Sequence, residues 1–472
     1  MARGDYTSTT QRLLPVSAIG NERDGEHIMP DIASGRLPEA QLRANFIDVH
    51  KPFDGHEALV ESNRCYFCYD APCTIACPTS IDVPMFIRKI ATGNVDGAAE
   101  TIFSANILGG MCARVCPTET LCEEACVRHA AEDKPVRIGQ LQRFATDHYL
   151  TRNDRFGDRA VATGRKVAVV GAGPAGLACA HELACHGHDV TILEARHKSG
   201  GLNEFGIATY KATDNFAQRE VDFVVGVGGI TIEHGKALGR DYTLADLTAR
   251  YDAVFLGLGL QAVNALGLEG EEIAGVIDAV RWIEDLRQSG DKTDVEVGNR
   301  VVVIGGGMTA VDAAIQARKL GAEDVTMVYR RGPEHMGASA YEQDLARLNG
   351  VRIKFWAAPA ALTTDGNHVT AVEFVSTHLD EAGKLVGTGQ TFTLACDQVM
   401  KAIGQAFVPG PVTSGETVAL DKGRIVVDAD GRTSAPKVWA GGDCVLGGRD
   451  LTVEAVAHGK RAAQSIHAAL TA

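Results

Sequence analysis

The chain of 472 residues is short of several things. Positive charge is outnumbered, 46 Lys and Arg against 60 Asp and Glu, for a formal net charge of −14. General nucleic-acid binding needs a basic face, so that class is excluded beyond a local phosphate pocket. No run approaches the roughly 20 uninterrupted apolar residues of a membrane span. The opening MARGDYTSTTQRLLPVSAIG lacks the apolar centre of an export signal. The expectation is a soluble, cytoplasmic protein with no membrane partner. Aromatic residues reach only 6%, yet 45% hydrophobic and 22% charged residues are ordinary for a globular chain. The length sets a soft prior of about three domains.

Disulfides are excluded in another way. Twelve cysteines are too few for a disulfide scaffold of this length, and they are badly spread for one. Eight lie between Cys65 and Cys126, while Cys179, Cys185, Cys396 and Cys444 are scattered. A dense local set in a chain with no export signal points to metal or iron–sulfur ligation in a reducing compartment. The run Cys65-x2-Cys68-x4-Cys73-x3-Cys77-Pro78 is close to the bacterial ferredoxin pattern, in which the cysteine before proline serves a second cluster. A second half follows as Cys112-x3-Cys116-Pro117-x4-Cys122-x3-Cys126. Zinc is the rival reading, but structural zinc sites favour paired short spacings. Counting thiols alone gives two clusters of four.

Glycine is abundant, at 52 residues. Gly171, Gly173 and Gly176 form G-x-G-x-x-G between the strand KVAVV and a helix that begins at Pro174. Glu194 closes the next strand 23 positions after Gly171, where a carboxylate meets ribose hydroxyls. The helix N-terminus faces a pyrophosphate. About 134 residues later the order recurs as RVVVI, GGGMTAVDAAIQARKLG and DVTMVYRR, a domain-scale duplication. Gly305, Gly307, Thr309 and Ala310 carry this second turn, read as a nicotinamide nucleotide site. Its next strand ends in Arg330 and Arg331 with no acid, a pattern that suits a 2′-phosphate and so NADPH over NADH. Downstream, KVWAGGDC ends a short strand in Gly442-Asp443, and a helix follows over roughly 452–470. A helix is expected near 37–46, another over 83–90, and a polar linker over 151–164. His186, His188 and His458 read as solvated. There is no Cys-x-x-Cys beside either glycine motif, which disfavours a redox dithiol.

These residues resemble a known family. The carrying segments are RCYFCYDAPCTIACPTSIDVPMFI, GAAETIFSANILGGMCARVCPTETLCEEAC, IGQLQRFATD, GAGPAGL, GGLNEFGIATYK and AGGDCV. Together they are similar to the glutamate synthase small-subunit superfamily, and within it to the N-terminal half of dihydropyrimidine dehydrogenase and its separate bacterial counterpart. The resemblance implies an α/β fold. A helical domain with two [4Fe–4S] clusters, residues 1–160, precedes two Rossmann-like domains. The FAD domain takes residues 161–274 and 402–472, with the NAD(P) domain, 275–401, inserted in it. The resemblance places Cys65, Cys68, Cys73 and Cys126 on one cluster. Cys77, Cys116, Cys122 and Gln142 hold the other, leaving Cys112 a neighbour. Chemistry alone prefers the Cys112 thiolate to an amide. Gly201, Leu202, Lys211, Asp443 and Thr452 are implied near FAD, and Gly404 near the nicotinamide. The chain departs from the animal members at Gly337-Ala338-Ser339-Ala340, where they place a basic residue and a Pro-Glu. That leaves NADH open.

A nicotinamide gives two electrons together, a cluster takes one, and a flavin does both. The expected function is therefore the NAD(P)H-oxidising subunit of a dihydropyrimidine dehydrogenase, handing electrons to an FMN- and Fe–S-carrying subunit that reduces uracil or thymine. The remaining length cannot hold an FMN barrel of about 250 residues. No acid–base residue is nominated. The alternatives are the small subunit of glutamate synthase, a related ferredoxin-linked reductase, or a non-catalytic adaptor that kept the fold.

Overall fold

The structure is a computed structural model and describes residues 31–413 and 418–472. The first 30 residues lie outside the described residues. Two parallel sheets organise the chain. The first has the strand order Val438–Ala440, Ala253–Leu256, Lys166–Val170, Asp189–Glu194, Ile230–His234. Strands such as KVAVV are apolar almost without break because both faces of a parallel sheet are covered. The helices Pro174–Cys185 and Thr452–Thr471 lie against each other, and Leu177, Leu183, Val456 and Ile466 share one core with Val167, Val169 and Phe255. Leu244, Leu247 and Leu256 belong to a separate core with Ala168 and Val170.

The second sheet is also parallel, in the order Arg352–Lys354, Asp324–Val328, Arg300–Ile304, Gln398–Lys401, Val276–Asp278. Its helix Met308–Leu320 is Ala-rich and almost wholly buried. An antiparallel sheet of Ala357–Thr364, Val369–Leu379 and Leu385–Ala395 packs Val369, Val372 and Phe374 against Val302, Ile304 and Val328. The chain crosses between the two units twice. The crossings pair as short antiparallel strands, Ala262–Val263 with Gln405–Ala406. The fold is thus α/β, with the second nucleotide-binding unit inserted into the first.

Ahead of both sheets stands a helical module. Val83–Ala91 begins where Asp82 accepts from the Met85 amide at 3.0 Å, with Pro84 in the first turn. Val83, Phe86, Ile87 and Ile90 recur at helical spacing and are all buried. They join Ile102, Phe103, Ile138, Leu141 and Ala145 from the helices Val95–Ala105 and Ile138–Leu150.

One boundary differs from expectation. Residues 31–46 were assigned to the helical module but pack on the second sheet unit. Ile32–Ala33 pairs antiparallel with Val297–Gly298. Leu42 and Phe46, flanking the C-terminal part of the helix Glu39–Asn45, enter the same core as Ala313, Ala317 and Leu320. Asn45 Nδ2 donates to the Lys319 carbonyl at 2.8 Å, and Lys319 Nζ donates to the Asn45 carbonyl at 2.5 Å. The physical reason is the small-residue face of Met308–Leu320, which leaves room for two large apolar side chains. The arm then turns to the helical module, where Asp48 and Arg143 pair at 2.6 Å. Replacing Phe46→Ala is expected to cost about 3 kcal/mol. Urea unfolding measures that loss, and limited proteolysis is expected to cut within residues 31–50 first.

Candidate functional site

The first glycine turn is shaped by close approach. Gly171 has φ +99°, and a Cβ there would strike the Gly257 carbonyl; a Cβ at Gly176 would strike the carbonyl of Gly171. Only glycine lets the strand, the turn and the helix Pro174–Cys185 come this close. Glu194 is buried at the end of its strand. Its carboxylate accepts from the Ala172 amide at 2.7 Å and the Arg196 amide at 2.8 Å. The acid therefore braces the glycine loop and lines the cavity that opens from it.

From this turn opens a cavity of about 530 Å³. Gly171, Gly173, Pro174, Glu194, Gly201, Leu202, Gly442, Asp443 and Thr452 line it. Burial, with the Asp450 charge adding, pushes the Asp443 carboxyl up to about 6. Thr452 Oγ1 donates to Asn203 Oδ1 at 2.7 Å, tying the start of the last helix to the Gly200–Gly201 turn. The far end is lined by Lys211, by Met308, Thr309 and Asp312 from the second nucleotide-binding unit, and by Val115 and Cys116 from the helical module. The glycine loop, the free helix start and the bracing acid fit an FAD, and a bound FAD would share this cavity with residues of the nicotinamide unit and of the cysteine-rich module.

Lys211 is placed at that junction, but its charge is already used. Nζ lies 2.8 Å from Asp312 Oδ1 and 2.8 Å from Glu342 Oε1, and Tyr210 Oη donates to Asp312 Oδ1 at 3.1 Å. Burial works against the ammonium, but the two carboxylates outweigh it and hold its pKa above the ordinary lysine range. Burial raises Glu342, the charges of Asp312 and Glu119 add to this, and Lys211 opposes it.

In the second turn, Gly305, Gly307 and Ala310 close the strand-to-helix step, and Thr309 reaches the shared cavity. Arg330 is exposed and Arg331 half-buried. Neither guanidinium has a hydrogen bond or ion pair among the described residues, so both stand free beside the second turn. Gly404 sits at the return crossing, where its carbonyl accepts from the Asn264 amide at 3.1 Å; its neighbour Gln405 lines the cavity.

The cysteines gather in two sets. Cys65, Cys68, Cys73 and Cys126 line one small cavity together with Val83, Ile87 and Ile138. Burial pushes the Cys73 thiol up to about 12 and raises that of Cys65. In the other set Cys116 feels Cys112, Cys122 and Cys77, and its thiol is raised by contact with Cys112 and by burial. Such thiols give up their protons to a metal, not to water at neutral pH. Four sulfurs around an apolar hollow suit a cluster. Cys112 is buried and receives a hydrogen bond from Asn106 Nδ2 at 3.2 Å. Gln142 is buried beside this set, with Nε2 donating to the Gly109 carbonyl at 2.7 Å.

Several residues of the site had no sequence signal. Asp312, Glu342 and Asn203 are ordinary polar letters, brought in only by packing between units. Two histidine expectations are corrected. His188 is fully buried, hydrogen-bonded to His467 at 2.9 Å and Thr163 at 2.8 Å, because the helix-to-strand turn lies under the last helix. His458 is half-buried, and its Nδ1 accepts from the Gly442 amide at 3.2 Å.

Two nucleotide-binding turns opening on one cavity, walled at its far end by a cysteine-rich module, define a flavin- and iron–sulfur-dependent oxidoreductase. Residues 42–154 match the family described as dihydropyrimidine dehydrogenase domain II, 4Fe-4S cluster. Residues 165–459 match the pyridine nucleotide-disulphide oxidoreductase family. The glutamate synthase [NADPH] small chain of Escherichia coli K12 is 35% identical over 449 residues, covering 90% of this chain and 94% of that one. The NAD-dependent dihydropyrimidine dehydrogenase subunit PreT of Escherichia coli K12 is 36% identical over 425 residues, covering 90% and 97%. The NADP(+)-dependent formate dehydrogenase subunit beta of Moorella thermoacetica is 36% identical over 432 residues, covering 84% of this chain and 59% of its own length. Mycobacterium tuberculosis FprA in complex with NADPH shares the fold, with a TM-score of 0.53 at 19% identity over 64% of this chain and 84% of FprA. The chain belongs to the family of glutamate synthase small subunits and PreT. Its cofactors are FAD, [4Fe–4S] clusters and a nicotinamide nucleotide, and it is an electron-transfer oxidoreductase. Among the described residues no helix is long and apolar enough to cross a membrane.

Lys211→Met would strand two buried carboxylates and is expected to cost about 3–5 kcal/mol. Adding Glu342→Gln is expected to recover part of that loss, as read by urea unfolding of the single and double variants.

Proposed function

We propose that this chain is the NAD(P)H-oxidising subunit of a dihydropyrimidine dehydrogenase. Electrons pass from NAD(P)H to FAD, to two [4Fe–4S] clusters, and on to an FMN- and Fe–S-carrying partner that reduces uracil or thymine. The observation that carries this reading is the shared wall: Val115 and Cys116 line the same cavity as Gly173, Asp443 and Thr309. When bound, the flavin supplies the change from paired to single electrons. The chain's own groups orient and exclude water. Gly171, Gly173, Pro174 and Gly176 hold the pyrophosphate, and Glu194 meets the ribose. Gly201, Leu202, Gly442, Asp443 and Thr452 close along the dinucleotide, and Lys211 stands at its far end. Gly305, Gly307, Thr309, Ala310 and Gly404 seat the nicotinamide nucleotide, with Arg330 and Arg331 free for a 2′-phosphate. The domain limits remain 161–274 with 402–472 for FAD and 275–401 for the nicotinamide nucleotide.

Cys65, Cys68, Cys73 and Cys126 take the outer cluster; Cys77, Cys116, Cys122 and Gln142 take the inner one. With Gln142 Nε2 donating to Gly109, the amide oxygen is the atom left for iron. Cys112 already has a donor in Asn106. Cys112→Ser is expected to keep the full iron content, whereas Gln142→Leu is expected to lose or alter one cluster. Iron analysis and low-temperature electron paramagnetic resonance read the difference, and the reverse result would assign Cys112 as the ligand.

Around the outer set the surface is apolar. Tyr66, Tyr69, Ile75 and Val127 are exposed within a few residues of its cysteines, Tyr69 fully so. These residues support docking of the partner there. The similarity to the glutamate synthase small chain is as close as that to PreT, which keeps glutamate synthase as the second reading. A cytoplasmic location fits the free thiols.

The test is turnover with each nicotinamide and a reconstituted FMN subunit. NAD(P)H should bleach the flavin of the isolated chain, and uracil reduction should require both subunits. Tyr69→Ser combined with Ile75→Ser should leave bleaching unchanged and slow uracil reduction about tenfold or more. Glutamine-dependent glutamate formation with a large amidotransferase partner, and none with uracil, would replace this reading by the second.

A further inference from the structure

The last helix does more than cover the first sheet. Thr452–Thr471 brings Leu451, Thr452 and Ala455 to the cavity wall. Two turns along, it carries His458 against the loop Gly441–Asp443. The contact is close: a Cβ on Gly441 would lie 2.9 Å from the His458 Cβ and 3.0 Å from the Phe255 ring. The Gly442 amide donates to His458 Nδ1 at 3.2 Å. Gly442 itself has φ +89°, a left-handed conformation that needs an external hold to be the single one populated. Arg424 gives a second hold, donating to the carbonyl of Asp443.

The chemistry of that contact is directional. Nδ1 accepts a hydrogen bond only through its lone pair, so the ring must be neutral, with its proton on Nε2. Protonation of Nδ1 sets an N–H against the Gly442 N–H. The loop then loses its acceptor and gains a repulsive neighbour. We propose that His458 is a positioning residue for FAD, a proton-sensitive clasp that keeps the Gly441–Asp443 loop in its binding shape while the imidazole is neutral and releases it when the imidazole is protonated.

The charges that face His458 are Arg461 and Glu454 on its own helix and Arg449 on the preceding loop. Burial lowers the ring's pKa first, the two arginines add to this, and Glu454 opposes them. The sign follows. The native ring resists protonation relative to a free histidine, so the hold is complete above the ordinary histidine range. It is lost as pH falls through and below that range. Two carboxyls titrate nearby and would give a competing explanation: Asp443, pushed up to about 6, and Asp450, raised by burial.

The proposal rests on the reading that this loop holds the flavin dinucleotide. The experiment follows FAD release from the yellow full-length protein by flavin fluorescence, from about pH 8 to about pH 5. The wild-type dissociation rate is expected to rise about tenfold as pH falls below the ordinary histidine range toward pH 5, the loss of one well-placed hydrogen bond. His458→Asn puts an amide oxygen where Nδ1 was, accepts from Gly442 and does not titrate. Its rate is expected to stay near the neutral-pH wild-type value throughout. His458→Leu is expected to release FAD fast at every pH. A wild-type rate that does not change with pH, or an unchanged pH step in His458→Asn, overturns the proposal; the second result would assign the step to Asp443 and Asp450. A wild-type protein that retains no flavin at neutral pH overturns the underlying reading as well.

Discussion

Cys116 faces two ways, and the rest of the molecule is arranged to keep it there. Its residue closes the helix Gly109–Val115 and lines the nucleotide cavity, while its thiol belongs to the inner cysteine set. A cavity wall that also carries a thiol of a cysteine set needs a helix that does not drift. The opposing unit supplies the anchor. Glu220, on the helix Phe216–Val225 of the first nucleotide-binding unit, is fully buried and accepts from the Met111 amide at 2.9 Å. An acid at a helix N-terminus satisfies amides that have no partner inside the helix and meets the positive end of its dipole. Burial still pushes the Glu220 carboxyl up to about 8, so the favourable contacts do not fully offset desolvation. At the other end Arg114 pairs with Asp147 at 2.8 Å and lies 3.5 Å over the Phe216 ring. The helical module is thus bolted to the flavin unit at both ends of the helix that carries Cys116.

The nicotinamide unit is joined by a different device. Residues 203–212 follow the first glycine motif in the chain, yet two of their side chains belong to the second unit's core. Ala208 and Tyr210 are buried among Ala313, Ala314 and Ala317. Arg287 donates to the carbonyls of Glu204 and Ile207, and the Thr209 amide donates to Gln316 Oε1 at 2.9 Å. The arm adds a third strand of contact, since the Val49 amide donates to the Tyr210 carbonyl at 2.9 Å. Two slender crossings at Ala262–Val263 and Gln405–Ala406 would leave the inserted unit free to swing. These contacts hold it against the far end of the cavity instead.

What could be read from the letters followed local physics. The glycine turns, the helix Val83–Ala91 and the last helix each have a periodic pattern or a residue that only one backbone conformation accepts. The grouping of Cys65, Cys68 and Cys73 with the distant Cys126 came from resemblance, not from spacing, because spacing carries no record of which thiols meet. The antiparallel sheet over 357–395 was missed. Its strand Leu385–Ala395 is mostly exposed and rich in Thr and Gly, with little apolar alternation to mark it. The arm was misplaced for a related reason: Leu42 and Phe46 signal a buried face without naming its partner. His458 was read as solvated because a lone histidine on a helix carries no sign of the amide it will meet.

The departure at Gly337–Ala340 has a structural use that changes its meaning. Ser339 caps the helix Ala340–Leu348, accepting from the Glu342 amide at 3.2 Å, and its hydroxyl also donates to Glu119 of the helical module. Tyr341 stacks on His50 with centroids 6.1 Å apart. The cap sets where Glu342 stands, and Glu342 is one of the two carboxylates that Lys211 pairs with. The segment answers to other parts of the chain, through Glu119 and His50. Under the proposed reading phosphate recognition rests on Arg330 and Arg331, which have no partner among the described residues and follow the strand Asp324–Val328.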